Sequence, residues 1–172
     1  MRTDIKIALG SDKSGFQLKE VVKANLIEEG YQIIEVGTVD VEKPFPFYDT
    51  APLVCTLLQK GEADMGILIC GTGMGMSQVA NKFSGIRAAC VESLYGARMS
   101  RAINDSNVLC MGGWVITERI GVEMANVFLE TEFTQGLEEW RKEFLRSAKQ
   151  KFLKLENELL GGEMGNVSPS GK

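Results

Sequence analysis

Gly66-Ile67-Leu68-Ile69-Cys70-Gly71-Thr72-Gly73-Met74-Gly75-Met76-Ser77 is the stretch whose reading decides the fold. Met65 to Ile69 is an unbroken apolar run, the pattern of a strand buried on both faces of a parallel sheet. Glycines then alternate at 71, 73 and 75, with Cys70 at the junction and a helical pattern from Ser77 to Phe83. A strand, a Gly-rich turn and a helix start aim several backbone N–H groups at one point, and the helix N-terminus adds partial positive charge. An anion suits that point: a phosphate, a carboxylate or an oxyanion formed during a reaction. Glycine lets the backbone approach closely and adopt positive φ. A thiol at the edge of such a cradle is a candidate reactive group. Alone, the pattern is equally that of a tight βα turn holding a buried cysteine.

Outward from this stretch, apolar runs alternate with helical spacing. Ile5 to Gly10 reads as a strand, Ser11 to Gly15 as a turn, and Phe16, Leu18, Val21, Val22 and Leu26 as one helix face closed by Gly30. Tyr31 to Val36 is a second strand, and Gly37 to Tyr48 a loop carrying Pro44 and Pro46. A helix is expected from Asp49 to Leu58, ended by Lys60-Gly61. Beyond the central stretch, strands are expected over Ile86–Val91 and Val108–Gly112, with helices over Ser93–Asn104 and Ile120–Glu130. Strict β-α alternation predicts an α/β fold, doubly wound, with a five-stranded parallel sheet covered by helices on both faces. Ligands in such folds bind beyond the carboxyl ends of the strands. The turn after the first strand and the Cys70–Met76 turn both lie there.

Composition narrows the function. A chain of 172 residues with 44% hydrophobic and 24% charged residues suits one soluble domain with a sizeable core. Its net charge of −4 argues against nucleic acid as a main partner. No apolar run is long enough for a membrane span, and no signal peptide is visible. The four cysteines, Cys55, Cys70, Cys90 and Cys110, are far apart, which is expected of reduced thiols in a cytoplasmic protein. The absence of histidine excludes Ser-His-Asp and Cys-His catalysis and leaves no expectation of a metal site.

The last third ends differently. Residues 137–160 are rich in Glu, Lys and Arg, interspersed with Trp140, Phe144, Phe152, Leu153, Leu155 and Leu159. This is a long amphipathic helix with more apolar residues than a solvated helix needs, so it is expected to dock on a second subunit. Residues 1–160 are expected to form a single domain, and the Gly-, Ser- and Pro-containing segment 161–172 a disordered tail.

Several stretches together resemble the ribose-5-phosphate isomerase B and galactose-6-phosphate isomerase family. They are Ala8 to Phe16 with Leu18-Lys19, Gly66 to Gly75, Ala80-Asn81-Lys82 with Gly85-Ile86-Arg87-Ala88, and Ser100-Arg101 with Asn104-Asp105 and Asn107-Val108-Leu109. Spaced motifs in the right order are far more specific than one Gly-rich loop. The resemblance covers about Ile5 to Arg141 and implies a Rossmann-like three-layer sandwich. It also implies a homodimer or tetramer with sites shared between chains. The implied activity interconverts aldose and ketose phosphates through a 1,2-enediolate without metal or organic cofactor. Cys70 matches the catalytic cysteine, and the amides of Gly71, Gly73, Met74 and Gly75 match the enediolate-binding loop. Thr72 matches a hydroxyl residue that relays a proton between oxygens. Asp12 matches a substrate-hydroxyl ligand, Asn104 a polar residue near the sugar, and Arg141 a phosphate-binding arginine reaching into the partner chain's site.

The departures from the family pattern concern the substrate. Lys13 stands where many members have histidine, and Ile103 where a ring-opening histidine is usual. Trp114 and Leu137 replace phosphate-binding arginines, and Phe45 replaces a common tyrosine. Lys13 can supply one positive charge to a substrate, as a point charge rather than a fork. The expected substrate is therefore an altered sugar phosphate, for example an open-chain four-carbon one. The alternative is a non-catalytic or half-catalytic sugar-phosphate-binding subunit of a galactose-6-phosphate isomerase-like hetero-oligomer. Met74 and Met76 are expected to pack beneath the loop, and Cys55, Cys90 and Cys110 to be structural.

Overall fold

A computed structural model describes residues 5–160; the expected tail at 161–172 lies outside them. The elements run β1 (Lys6–Ser11), α1 (Phe16–Glu28), β2 (Gln32–Gly37), α2 (Phe47–Gln59), β3 (Met65–Cys70), α3 (Met74–Ala80), β4 (Ala88–Cys90), α4 (Leu94–Ala102), β5 (Val108–Gly112), α5 (Glu118–Glu130) and α6 (Glu139–Leu160). The five strands form one parallel sheet in the order β2-β1-β3-β5-β4. This is the expected three-layer α/β architecture.

The two-residue period of the strands divides their apolar runs between two cores. Ile7, Leu9, Ile67, Ile69, Leu109 and Met111 face a layer built from α1, α4 and α5, including Leu18, Val22, Ala97, Met124 and Phe128. Ala8, Leu68, Cys70, Val108 and Cys110 face the opposite layer, where α2 brings Val54 and Cys55 and α3 brings Met76 and Ala80. Each large aliphatic side chain so buried contributes about 1.5–3 kcal/mol. Every residue of β3 is buried, which places the decisive stretch at the centre of both cores.

Local chemistry moves several element ends away from the sequence expectation. Helix α2 starts at Phe47 rather than Asp49, because the Pro46 carbonyl accepts the N–H groups of Asp49 and Thr50. Helix α3 starts at Met74, directly after Gly73, and stops at Ala80 rather than Phe83. The stop comes from Asn81, whose amide donates to the Ala88 carbonyl and accepts the Ala88 N–H, both at 2.9 Å. That clasp turns the chain into β4, which keeps only Ala88–Cys90 of the expected strand.

The strand order reverses between β1 and β3: from β1 the chain moves to β2 at one edge, and from β3 to β4 at the other edge and back to β5 between them. The crevice at that reversal is flanked by the turns after β1 and β3. The two turns touch. The Asp12 N–H donates to the Ile69 carbonyl at 3.2 Å. A Cβ on Gly15 would stand 2.2 Å from the Ile69 oxygen.

Helix α6 has no buried residue. It meets the rest of the chain near β4, where Lys149 pairs with Asp105 and Glu156 accepts the Gly85 N–H at 2.9 Å. Leu145, Ala148 and Phe152 roof a cleft of about 400 Å³ whose far wall includes Ile103 and Asn104. Trp140 and Phe144 stay 66% and 65% exposed, so within one chain the apolar face of α6 remains uncovered.

Gly15→Ala forces backbone against backbone and should cost about 1–3 kcal/mol. Gly61→Ala, at φ 69° with nothing within 4 Å of the added carbon, meets only backbone strain of about 1–2 kcal/mol. Thermal unfolding of the two variants should show the larger loss for Gly15→Ala. Only that variant should also lose activity, because it separates the Asp12 turn from Cys70.

Candidate active site

Cys70 is the last residue of β3 and is 5% exposed. Its Sγ accepts the Gly73 N–H at 3.1 Å. Gly73 makes that geometry possible: at φ 77° it is left-handed, which turns the chain back over the sulfur and into α3. The Thr72 hydroxyl accepts the Met74 N–H at 3.4 Å at the exposed rim of the turn.

The cradle is packed from three sides. The Trp114 ring lies against Gly71, so close that a Cβ there would be 2.7 Å from it. The Phe47 ring lies 3.0 Å from the corresponding position on Gly75. Below Gly73 are the Met111 backbone and the Cys90 sulfur. The end of β5 ties the turn down, with Gly113 N–H donating to the Cys70 carbonyl at 2.8 Å and Trp114 N–H to the Gly71 carbonyl at 3.0 Å. The Gly-rich spacing thus serves close packing as well as anion approach. Trp114 was singled out in the sequence as a departure near the substrate, whereas Phe47 was not. The clue in the sequence was aromatic residues beside Gly112-Gly113 and Pro46.

Across the crevice, the Asp12 carboxylate accepts the Gly15 N–H at 2.9 Å. Burial raises its pKa above the ordinary carboxylate value, against the lowering effect of the Gly15 and Ser14 N–H groups. Asp12 and the exposed Lys13 line a cavity of about 260 Å³ with Pro44, Phe45, Pro46 and Phe47. The structure therefore sets the Asp12 turn against the end of β3, and Phe47 links the cavity lined by Asp12 and Lys13 to Gly75 of the Cys70–Gly75 turn.

Asn104 and Arg141 are not in that group. Asn104 lies between α4 and β5, at the amino ends of the strands, whereas Cys70 is at the carboxyl ends. It lines the cleft beneath α6 beside Ile103. Arg141 is exposed in the first turn of α6. Met74 also departs from expectation. It is 52% exposed at the start of α3 rather than packed beneath the loop, while Met76 is fully buried as expected. The other thiols face the interior: burial pushes Cys55 up to about 12 and raises Cys90 and Cys110 as well.

The profile of the family described as Ribose/Galactose Isomerase matches residues 7–144. The chain belongs to that ribose/galactose isomerase family. It is 58% identical over 147 residues to a 4-deoxy-4-sulfo-D-erythrose isomerase from Clostridium sp. (strain MSTE9), covering 86% of this chain and 92% of that one. It is 40% identical to ribose-5-phosphate isomerase B of Escherichia coli, over 85% of this chain and 97% of the relative. Among solved structures it superposes on ribose-5-phosphate isomerase B from Clostridium thermocellum with a TM-score of 0.81 at 35% identity, covering 90% and 99% of the two chains. The family fold accordingly places the Cys70 turn and the Asp12 turn of this isomerase at the carboxyl end of its sheet.

The raised Asp12 carboxyl carries a signed consequence for pH. As pH rises through the ordinary value of 3.8, the unfolded chain ionises first, so the contribution of Asp12 to stability is greatest in acid and declines above that value. Asp12→Asn removes the declining term and keeps an oxygen for the Gly15 N–H. Thermal unfolding between about pH 3 and pH 7 should show the variant gaining on wild type as pH rises.

Proposed function

We propose that this chain is a cofactor-independent aldose–ketose isomerase acting on an open-chain four-carbon sugar with an anionic group on C4. The observation that carries the reading is the Cys70 sulfur, enclosed at the carboxyl end of β3 and held by the Gly73 N–H. The Cys70 thiolate takes the proton from the carbon beside the carbonyl. Negative charge passes to the carbonyl oxygen, giving a 1,2-enediolate that the amides of the 71–75 turn stabilise. The Thr72 hydroxyl moves a proton between the two oxygens, and the Cys70 thiol returns its proton to the neighbouring carbon. Asp12 holds a substrate hydroxyl, and Lys13 faces the anionic end.

The four-carbon skeleton is supported by residue chemistry and by the sulfoerythrose isomerase relative. A tetrose closes a five-membered ring only through a free hydroxyl on C4. A sulfonate or phosphate group at that position prevents closure. Such a substrate needs no ring-opening acid–base group, and Ile103 offers none. Asn104 and Arg141 complete the site from a second copy of the chain, because in one chain Asn104 lies at the other end of the sheet.

Cys70→Ser should fold normally and lower isomerisation by at least about 100-fold, because serine is a far weaker base. Proton exchange between substrate and D₂O, followed by NMR, reads the same step, and wild-type exchange in the variant would overturn the assignment. Mixing Cys70→Ser with Arg141→Ala chains should restore activity, since the hybrid carries one complete site. Two inactive parents that stay inactive when mixed would mean that Arg141 acts within its own chain, and an active Arg141→Ala parent would place it outside the site.

The substrate preference is tested by comparing kcat/KM on 4-deoxy-4-sulfoerythrose, erythrose 4-phosphate and ribose 5-phosphate. The four-carbon sugars should be preferred. Ile103→His should raise turnover of ribose 5-phosphate alone, because an imidazole near neutrality can exchange the ring proton. A wild-type preference for ribose 5-phosphate would refute this reading of Ile103.

A further inference from the structure

We infer that Lys19, which touches no substrate in the reading above, is a positioning residue that fixes the wall of the substrate cavity. Its side chain is fully buried in α1. The Nζ pairs with Glu35 and with Glu20, the latter at 2.8 Å, and lies 4.7 Å from the centre of the Phe16 ring. Two carboxylates already compensate the charge. A third bond, at 2.7 Å, goes to the backbone carbonyl of Thr38 in the loop after β2. A methionine or leucine would fill the same volume without the desolvation cost of a buried ion pair. What the ammonium adds is a directed bond to that loop.

Thr38 passes the constraint on. It is fully buried, and its N–H donates to the Ser11 carbonyl at 2.9 Å, at the end of β1. Its hydroxyl accepts the Phe45 N–H at 3.0 Å and donates to the Phe45 carbonyl at 3.3 Å. Every polar group of Thr38 is therefore held, and both polar groups of the Phe45 backbone are held by Thr38. The segment so clasped, Phe45-Pro46-Phe47, faces Asp12 and Lys13 across the 260 Å³ cavity. Phe47 also rests on Gly75 of the cradle. One buried cation thus sets the spacing between the Asp12 turn, the aromatic wall and the enediolate-binding turn.

The inference rests on the proposed function for its kinetic readout, so the test includes a measurement that needs no sugar. Lys19→Met, Thr38→Val and Thr38→Ser are compared with wild type. Lys19→Met and Thr38→Val should raise KM about tenfold or more while kcat changes less, because a displaced wall misplaces the substrate without altering Cys70. Thr38→Ser keeps the hydroxyl and should restore KM to near the wild-type value. In the same two variants, iodoacetamide should alkylate Cys70 several-fold faster, read by peptide mass. The rates at the buried Cys55 and Cys110 should not change. A fall in thermal stability with KM and Cys70 alkylation unchanged would overturn the inference and leave Lys19 a purely structural residue. If Lys19→Met does not fold, Thr38→Val decides by the same criteria. If wild type turns over no four-carbon sugar, the proposed function fails, and the alkylation rates still decide the role of Lys19.

Discussion

The left-handed turn at Gly73 is the constraint on which the site depends. That reversal brings an N–H back to the sulfur three residues after Cys70 ends β3, and it starts α3 in the same step. A Cβ at this position would carry both the strain of positive φ and a 2.9 Å approach to the Met111 backbone. The sheet, in turn, supplies what holds the turn still. Gly113 and Trp114 at the end of β5 donate to the carbonyls of Cys70 and Gly71, so the cradle is an extension of sheet hydrogen bonding beyond the last strand pair. Catalytic groups placed this way need little reorganisation when charge develops on a bound oxygen.

The rest of the chain arranges access to that point. Strand alternation gives each helical layer its own core, and the turns after β1 and β3 lie beyond the carboxyl ends of those strands. The reversal of strand order then opens the crevice between them. Into it come Asp12 from one turn, Cys70 from the other, and the Phe45–Phe47 wall from the entry to α2. Burial of this lip has an electrostatic effect on Asp12, whose carboxyl binds its proton more tightly than in water.

The elements with strong periodicity were legible in the sequence, and so was the Gly-rich turn that follows β3. The run Met65 to Ile69 can be little other than a buried strand, and the glycines that follow it mark the turn by their chemistry. Ends set by a single side chain were not legible. Asn81 stops α3 by clasping Ala88, seven residues away, and no local propensity signals that. The exposure of Met74 was misjudged because α3 begins three residues earlier than its apolar pattern does, which swings the side chain outward. Phe47 escaped notice, and the contact of Trp114 with Gly71 was not legible, because these contacts are long-range, with glycines that have no side chain to suggest a partner. Lys19 lies within an apolar helix pattern and looks like a surface residue until the fold buries it.

The division of labour within the site has a physical logic. In the proposed reaction, hydrogen bonding to the enediolate would fall on backbone amides, which a substitution elsewhere in the chain does not remove. Discrimination between sugars would then fall on side chains at the rim and on the far face: Lys13, Trp114 and Ile103. Lys13 and Ile103 can be exchanged without disturbing the Gly73 turn, because neither supplies the N–H bonded to Cys70, whereas the Trp114 ring also packs on Gly71. In the proposed function, isoleucine at position 103 is tolerable only if the sugar needs no ring opened, which ties the residue there to the carbon skeleton of the substrate. A C4 anion satisfies that condition chemically, since it occupies the only position through which a four-carbon aldose closes a five-membered ring. In that reading the same anion must be met by charge near the far end of the substrate, and the Lys13 ammonium, which lines the cavity with Phe45, is a point charge that can meet it. Specificity would then be carried by which groups the rim can do without as much as by those it holds.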